Sequence, residues 1–284
     1  MTARGEVQFL VFDVESAADG ELVSRVKYPG ENLTPQQAVR RFRDELLAES
    51  EGQRDFIPYT YQLPVAIVIG KISPTYELLD LISLDEPHHR SPMMTQLFWM
   101  GWEHYKHPTW ITFNGRTFDL PLLELAAFRY GLSLPNWFAP KTKSFDQPRN
   151  RFNGRYHLDL LDILTNSGAS RFAGGLNLAA ELIGKPGKMS TEGDMIQDMF
   201  EEGKLREISD YCRCDVLDTY FVFLRCAVLR GELHPDAERE LTAQTYSWLE
   251  TQQEQFPIYQ QYLAACRQPS AKESMLEPGK SEGH

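Results

Sequence analysis

The fold is organised around the stretch Gln8-Phe9-Leu10-Val11-Phe12-Asp13-Val14-Glu15-Ser16, an apolar run that ends in two carboxylates one residue apart. Its branched and aromatic side chains predict a buried β-strand. Side chains at positions i and i+2 of a strand point to the same side, so Asp13 and Glu15 project together. Like charges this close raise each other's pKa unless a cation lies between them, which makes the pair a candidate divalent-metal platform. The alternative is a strand that ends in solvent, where both acids are ordinary.

The composition is that of a soluble globular protein, with 42% hydrophobic and 24% charged residues among 284. This length gives room for one large domain, or for one domain with an appendage. The four cysteines (Cys212, Cys214, Cys226 and Cys266) suggest no disulfide framework and favour a reducing compartment. The N-terminus lacks a signal-peptide pattern, and the longest apolar run, residues 64–70, is too short to cross a membrane. We therefore expect a cytoplasmic protein without a membrane partner.

The net charge of −11 argues against a protein that coats nucleic acid non-specifically. A cleft that handles the end of a nucleic-acid chain is still compatible, because it needs carboxylates at its centre and basic residues only around them. Residues 141–188 are positively charged, unlike the chain as a whole. They carry eight basic residues: Lys141, Lys143, Arg149, Arg151, Arg155, Arg171, Lys185 and Lys188. Only four acids accompany them: Asp146, Asp159, Asp162 and Glu181. This segment either contacts backbone phosphates or is a solvated surface loop.

Hydrophobic periodicity predicts further strands and helices around the first strand. The strands are expected at residues 62–70, 76–84, 109–115 and 156–164, the first two forming an antiparallel meander with the N-terminal strand. The helices are expected at residues 35–50, 91–107, 122–130, 178–183, 194–200, 205–229, 237–249 and 259–266. Residues 17–33 show no periodicity.

A third acid follows the strand at residues 109–115, which breaks at Asn114-Gly115. Asp119 stands just before a predicted helix, at the rim of the sheet where open α/β folds bind ligands. The alternative is a plain helix cap, since Asp is common at helix starts. The neighbouring Phe118 either packs in the core or forms a wall for a stacked base.

A fourth acid lies on the long helix predicted at residues 205–229. Tyr211 and Asp215 are four residues apart and therefore share one face of that helix. A phenol one turn from a carboxylate suits a site in which the acid binds metal and the phenol orients a water. The alternative is an ordinary amphipathic helix with a packed tyrosine and a solvated acid. Asp159 is expected on a buried strand face, where a carboxylate needs a partner, and we favour a structural role for it.

In chain order, the strings Phe12-Asp13-Val14-Glu15, Phe113-Asn114-Gly115 with Phe118-Asp119, and Tyr211-Cys212-Arg213-Cys214-Asp215 resemble the three motifs of the DEDDy 3′–5′ exonucleases. These enzymes belong to the ribonuclease H-like superfamily. More narrowly, the chain resembles bacterial predicted exonucleases related to the proofreading domain of family B DNA polymerases. His157-Leu158-Asp159-Leu160 and Gly184-Lys185-Pro186-Gly187-Lys188 are similar to that family as well. The resemblance covers roughly residues 7–233, and the motifs are specific only in combination.

The resemblance implies two divalent cations, Mg²⁺ or Mn²⁺, about 4 Å apart. Asp13 would bridge both ions, and Glu15 and Asp215 would complete the site of the ion that activates water. Asp119 would hold the second ion, and Tyr211 would position the attacking water. The implied reaction is hydrolysis at a nucleic-acid 3′ end, DNA rather than RNA and single-stranded or frayed, with release of nucleoside 5′-monophosphates.

Substrate contacts are implied for Asn114 and Phe118 at the terminal nucleotides, and we add Lys185 and Lys188 as candidate phosphate ligands. Since no polymerase domain fits in this chain, a polymerase or repair complex would be a partner in trans. An RNA-trimming DEDDy exoribonuclease and a non-catalytic nucleic-acid-binding module on the same fold are the alternatives.

The expected architecture is an α/β ribonuclease H-like fold. Its central mixed sheet, an antiparallel meander plus parallel strands, is flanked by helices. We expect an exonuclease domain at residues 1–234 and a C-terminal helical extension at residues 235–267. The tail at residues 268–284 is rich in Pro, Ser, Glu, Lys and Gly, a composition that predicts disorder.

Overall fold

A mixed β-sheet forms the centre of the computed structural model, which describes residues 5–187 and 193–267. Its strands are β1 (Phe9–Ala18), β2 (Gln62–Ile72), β3 (Leu78–Ser83), β4 (Thr109–Thr112) and β5 (His157–Asp159). The helices of the first half are α1 (Gly20–Lys27), α2 (Pro35–Glu49), α3 (Ser91–His104), α4 (Asp119–Arg129) and α5 (Pro135–Phe138). Those of the second half are α6 (Leu160–Thr165), α7 (Gly175–Glu181), α8 (Gly193–Glu201), α9 (Leu205–Leu229), α10 (Pro235–Gln252) and α11 (Ile258–Cys266).

The strand order is β3-β2-β1-β4-β5, which puts β1 in the middle of the sheet. β1 pairs antiparallel with β2, and β2 pairs antiparallel with β3. On the other side, β4 runs parallel to both β1 and β5. An antiparallel meander and parallel strands thus share one sheet, which confirms the predicted α/β ribonuclease H-like fold.

Helices cover both faces of the sheet, which explains the unbroken apolar run in β1. Leu10 and Phe12 pack into a cluster with residues of α3 and α4. Val11 points the other way and belongs to the cluster around α9. Because side chains alternate along a strand, Asp13 and Glu15 lie on the same side as Val11. The two acids therefore face α9.

Residues 17–33 show no periodicity in the sequence, yet much of this segment is regular structure. β1 continues to Ala18, and α1 follows directly, with the Asp19 carboxylate accepting a hydrogen bond from the Leu22 N–H at 3.1 Å. A Cβ on Gly20 would lie 2.5 Å from the carbonyl oxygen of Pro35, so glycine is required where α1 meets α2. An eight-residue helix is too short to establish a periodicity of its own.

The strand expected at residues 156–164 is also partly wrong. β5 holds only three residues, and the chain then turns into α6. The Asp159 carboxylate caps that helix by accepting a hydrogen bond from the Leu161 N–H at 3.1 Å. A short apolar run fits a strand and a buried helix equally well, and the capping acid decides between them here.

The C-terminal helices α10 and α11 pack against α9. Their apolar residues belong to the same cluster as Val11 of β1, and include Leu249, Tyr259 and Tyr262. The domain boundary after residue 234 stays a prediction, and the tail expected at residues 268–284 lies outside the described residues. Among the helices described, none has the length and apolar character needed to cross a membrane.

Candidate active site

A cavity of about 410 Å³ lies against the middle of β1, and we name it the acidic cavity. Its walls come from β1, the turn after β4, the start of α7 and one side of α9. Seven of the predicted site residues line it: Asp13, Glu15, Asn114, Phe118, Asp119, Tyr211 and Asp215. Three segments that are far apart in sequence, each carrying one of the quoted strings, therefore meet around one cavity.

The two β1 acids lie against the buried thiol of Cys212. Asp13, Glu15 and Cys212 each offer one possible ligand atom, and these atoms lie within 4.8 Å of one another. The thiol donates to the Asp13 carbonyl oxygen at 3.3 Å and lies 3.7 Å from Asp13 Oδ2. Burial, reinforced by the nearby carboxylates, raises the pKa of Cys212 well above its usual range. The thiol therefore stays protonated and acts as a donor to Asp13.

Asp119 is buried at the first position of α4, with only 7% of its surface exposed. The N-cap residue is Phe118, which makes no side-chain capping bond, so Asp119 is not the cap. Burial and the neighbouring Asp13 carboxylate raise the pKa of Asp119 well above its usual range. The N–H groups of Asp119 and Val14 act in the opposite direction by stabilising the charged form. The helix start offers a favourable local field, yet the site as a whole disfavours a second negative charge.

The turn between β4 and α4 is held in place by Asp159. Its carboxylate oxygens accept hydrogen bonds from the N–H of Asn114 at 2.7 Å and of Arg116 at 2.9 Å. Asn114 has a φ of 68°, in the left-handed region that Asn tolerates better than most residues. A Cβ on Gly115 would lie 2.6 Å from that of Thr112, so this tight turn requires glycine at position 115. Asp159 thus has the structural role that we favoured, and it shapes the wall of the acidic cavity.

Aromatic rings line the acidic cavity beside the acids. Phe118 contacts Phe56, with ring centroids 5.8 Å apart, and Phe56 is 63% exposed. Across the cavity wall, Phe113 meets Phe172 edge-on at 6.1 Å. Phe172 and Ile196 were not singled out from the sequence, because they come from segments without a motif and reach the cavity only through the tertiary fold.

Lys185, one of the two lysines proposed as phosphate ligands, does not line this cavity. Lys185 Nζ bonds the hydroxyl of Tyr246 at 2.6 Å and lies 4.3 Å from the centroid of the Phe221 ring. Burial in this contact lowers the pKa of Lys185. Its observed position joins α10 to α9 and explains the residue without any ligand. Lys188 lies outside the described residues.

The donor set of the acidic cavity fits divalent cations. All four carboxylates are oxygen donors, which Mg²⁺ and Mn²⁺ prefer. Burial and the neighbouring Asp13 carboxylate raise the pKa of Asp119, so a negative charge is disfavoured there. A cation bound between such groups would remove the repulsion that raises that pKa. Asp13, Glu15, Asp119 and Asp215 are the residues that could hold it.

A model of the family described as "Predicted 3′–5′ exonuclease related to the exonuclease domain of PolB" matches residues 54–266, about three quarters of the chain. The match contains Asn114, Asp119 and Asp215 but begins after β1, so the two β1 acids join the site through the fold. A search of curated proteins gives no match.

Among solved structures, the chain is similar to the family B DNA polymerase from the hyperthermophilic archaeon Pyrobaculum calidifontis. The two are 12% identical with a TM-score of 0.49, over 78% of this chain and 24% of the polymerase. The chain thus spans about a quarter of the polymerase's length. From the family match we conclude that the chain belongs to the predicted 3′–5′ exonucleases related to the exonuclease domain of PolB.

Proposed function

We propose that this protein is a divalent-metal-dependent 3′–5′ exonuclease that removes nucleoside 5′-monophosphates from single-stranded or frayed DNA ends. The observation that supports the proposal most is the shared cavity. Carboxylates from β1, α4 and α9 line it together with Tyr211. The family match is consistent with the reaction class but leaves the metal, the sugar and the mechanism to be tested.

In this proposal, Asp13, Glu15, Asp119 and Asp215 would hold two divalent cations, Mg²⁺ or Mn²⁺. When bound, the ions supply an activated water and stabilise the departing 3′ oxygen of the phosphodiester. The Cys212 thiol restrains Asp13 through its carbonyl oxygen.

The remaining residues of the cavity act on the substrate. Tyr211 stands one helical turn before Asp215, where its hydroxyl can orient the attacking water. Phe118 is proposed to stack on a terminal base, with the exposed Phe56 extending that surface. Asn114, held on its turn by Asp159, is proposed to contact the terminal nucleotide.

The experiment follows shortening of a 5′-labelled single strand, as DNA and as RNA, in the presence of Mn²⁺. We expect stepwise loss from the 3′ end of DNA, and loss of at least about a hundredfold in rate for Asp13→Asn and for Asp215→Asn. Asp44→Asn, an exposed acid on α2, is the matched control and should behave like the wild type. If Asp13→Asn trims as fast as the wild type, or EDTA has no effect, the proposal fails. Faster trimming of RNA than DNA would reassign the substrate.

A further inference from the structure

Two more cavities continue from the acidic cavity along the protein surface. The middle cavity, about 500 Å³, shares Asn114, Leu161 and Phe172 with the acidic cavity. The outer cavity, about 420 Å³, shares Arg116 and Arg151 with the middle one. Because neighbouring cavities have lining residues in common, the three lie side by side. We name the middle and outer cavities together the arginine groove.

The arginine groove carries a charge opposite to that of the molecule. Four arginines line it (Arg116, Arg149, Arg151 and Arg171) and only two acids (Asp159 and Asp162), a surplus of two positive charges in a chain of net charge −11. His157 adds none, since burial lowers its pKa to about 3.

Both acids of the arginine groove are already engaged by the protein. Asp159 accepts three backbone N–H groups, from Asn114, Arg116 and Leu161. Asp162 pairs with the Arg116 guanidinium at 2.8 Å. Neither acid therefore repels an incoming phosphate as strongly as an isolated carboxylate would.

Two of the four arginines are left for a ligand. Arg149 is committed to Glu124, which its Nε and Nη2 atoms contact at 2.8–3.0 Å. Arg151 and Arg171 are exposed, and neither forms an ion pair within residues 5–187 and 193–267. The Arg151 guanidinium instead lies 4.9 Å from the ring centroid of Phe152.

Aromatic rings alternate with these free arginines. Phe172 stands where the acidic cavity meets the arginine groove, and Phe152, 70% exposed, lies in the outer cavity. Cationic side chains that follow the backbone, interspersed with rings on which bases stack, are typical of surfaces that bind single-stranded nucleic acid. A double helix hides its base faces and could not use the rings.

We propose that the arginine groove binds the single strand on the 5′ side of the scissile phosphate, with Arg171 and Arg151 contacting successive backbone phosphates and Phe152 stacking on a base. This inference rests on the proposed function, which puts the 3′ end in the acidic cavity. Each cavity has the volume of a small-ligand site, about 300–1,000 Å³, so the groove accommodates a few nucleotides of strand.

The test compares two substrates on each protein: a labelled dinucleotide, confined to the acidic cavity, and a single strand of about twelve nucleotides, which reaches the arginine groove. We expect Arg151→Glu/Arg171→Glu to lower the ratio of kcat/KM for the strand to kcat/KM for the dinucleotide by at least about tenfold. The ratio is insensitive to a loss of folded protein, because both substrates report on the same preparation. Arg25→Glu/Arg40→Glu, exposed arginines of α1 and α2 that line none of the three cavities, should keep the wild-type ratio.

The strand is supplied as DNA and as RNA. If the double variant lowers the ratio for both the DNA and the RNA strand, the groove binds the phosphate backbone that they share. If it lowers the ratio for only one of them, the groove is specific for that nucleic acid. An unchanged ratio, with Asp13→Asn inactive, would overturn the groove and leave the proposed function intact. If the wild type cleaves neither substrate, the proposed function fails, and strand binding in EDTA still tests the groove. In that binding experiment, the slope of log K against log salt concentration should become shallower by about 0.7 for each phosphate contact that the double variant loses. An unchanged slope would overturn the proposal.

Discussion

At the scale of single residues, Asp119 suits the proposed metal site but lowers the stability of the folded protein. It is buried beside Asp13, and its pKa is raised well above the usual range by burial first and by that carboxylate second. An acid with a raised folded-state pKa stabilises the fold only at low pH, and this contribution is lost as the pH rises. At about pH 8 and without metal, Asp119 therefore lowers the free energy of unfolding.

Asp119→Asn should consequently raise the free energy of unfolding by about 1–2 kcal/mol in EDTA, while exonuclease activity is lost. With saturating Mg²⁺ the wild type should instead be more stable than Asp119→Asn, because an ion that binds only the folded state stabilises the wild type more than the variant. Urea unfolding at about pH 8, with EDTA or with Mg²⁺, measures both differences. A variant that is less stable than the wild type in EDTA would contradict this account of the site.

At the scale of elements, the sequence predicts the strands and helices that have a strong hydrophobic pattern and a clear end. β1, β2 and α9 have long apolar runs or sustained periodicity and were expected within a few residues of their bounds. α1 was missed because eight residues are too few to establish a periodicity of their own. β5 was drawn too long because a short apolar run fits a strand and a buried helix equally well.

The acids of the candidate site were predictable for a related reason. Asp13 and Glu15 follow an apolar run, Asp119 precedes a predicted helix and Asp215 comes one turn after Tyr211. Those positions are visible in the sequence. The thiol donor Cys212 and the ring of Phe172 were not predicted as part of the site. Their position depends on how α9 and residues 166–174 pack against the sheet, which no local pattern encodes.

A second property of α9 appears on the side that faces α11. Asp218 is fully buried there and accepts a hydrogen bond from the Tyr262 hydroxyl at 2.6 Å. Burial raises the pKa of Asp218 to about 7, against the opposing effects of that bond and of Lys185. In the unfolded chain the same carboxyl titrates at about 3.9. At a pH between these two pKa values, Asp218 therefore keeps its proton in the folded protein and has lost it in the unfolded chain.

The stability that Asp218 contributes is complete below about pH 4 and declines as the pH rises to about 7. Asp218→Asn cannot titrate, so the stability of the wild type relative to this variant should fall by about 3 kcal/mol between pH 5 and pH 8. Urea unfolding of both proteins at the two pH values gives this difference directly. A difference that stays constant, or grows with pH, would show that Asp218 is ionised in the folded protein.

At the scale of the whole molecule, the C-terminal helices α10 and α11 support α9 by packing against it. α10 and α11 contribute six residues to the same apolar cluster as β1 and β2: Leu241, Leu249, Ile258, Tyr259, Tyr262 and Leu263. Polar contacts fix the same interface. The buried Arg213 bonds the Tyr259 hydroxyl at 3.2 Å and stacks 4.1 Å from the centroid of Phe256.

Burial of one large apolar side chain contributes about 1.5–3 kcal/mol. Six such side chains together contribute an amount comparable to the roughly 5–15 kcal/mol by which a typical domain is stable. A chain that ends at residue 234 should therefore lose cooperative unfolding and the acidic cavity with it. A chain that ends at residue 267 keeps α10 and α11 and should unfold like the full-length protein. Urea unfolding followed by circular dichroism compares the two, and a cooperative transition at the wild-type midpoint in the shorter chain would show that residues 1–234 fold alone.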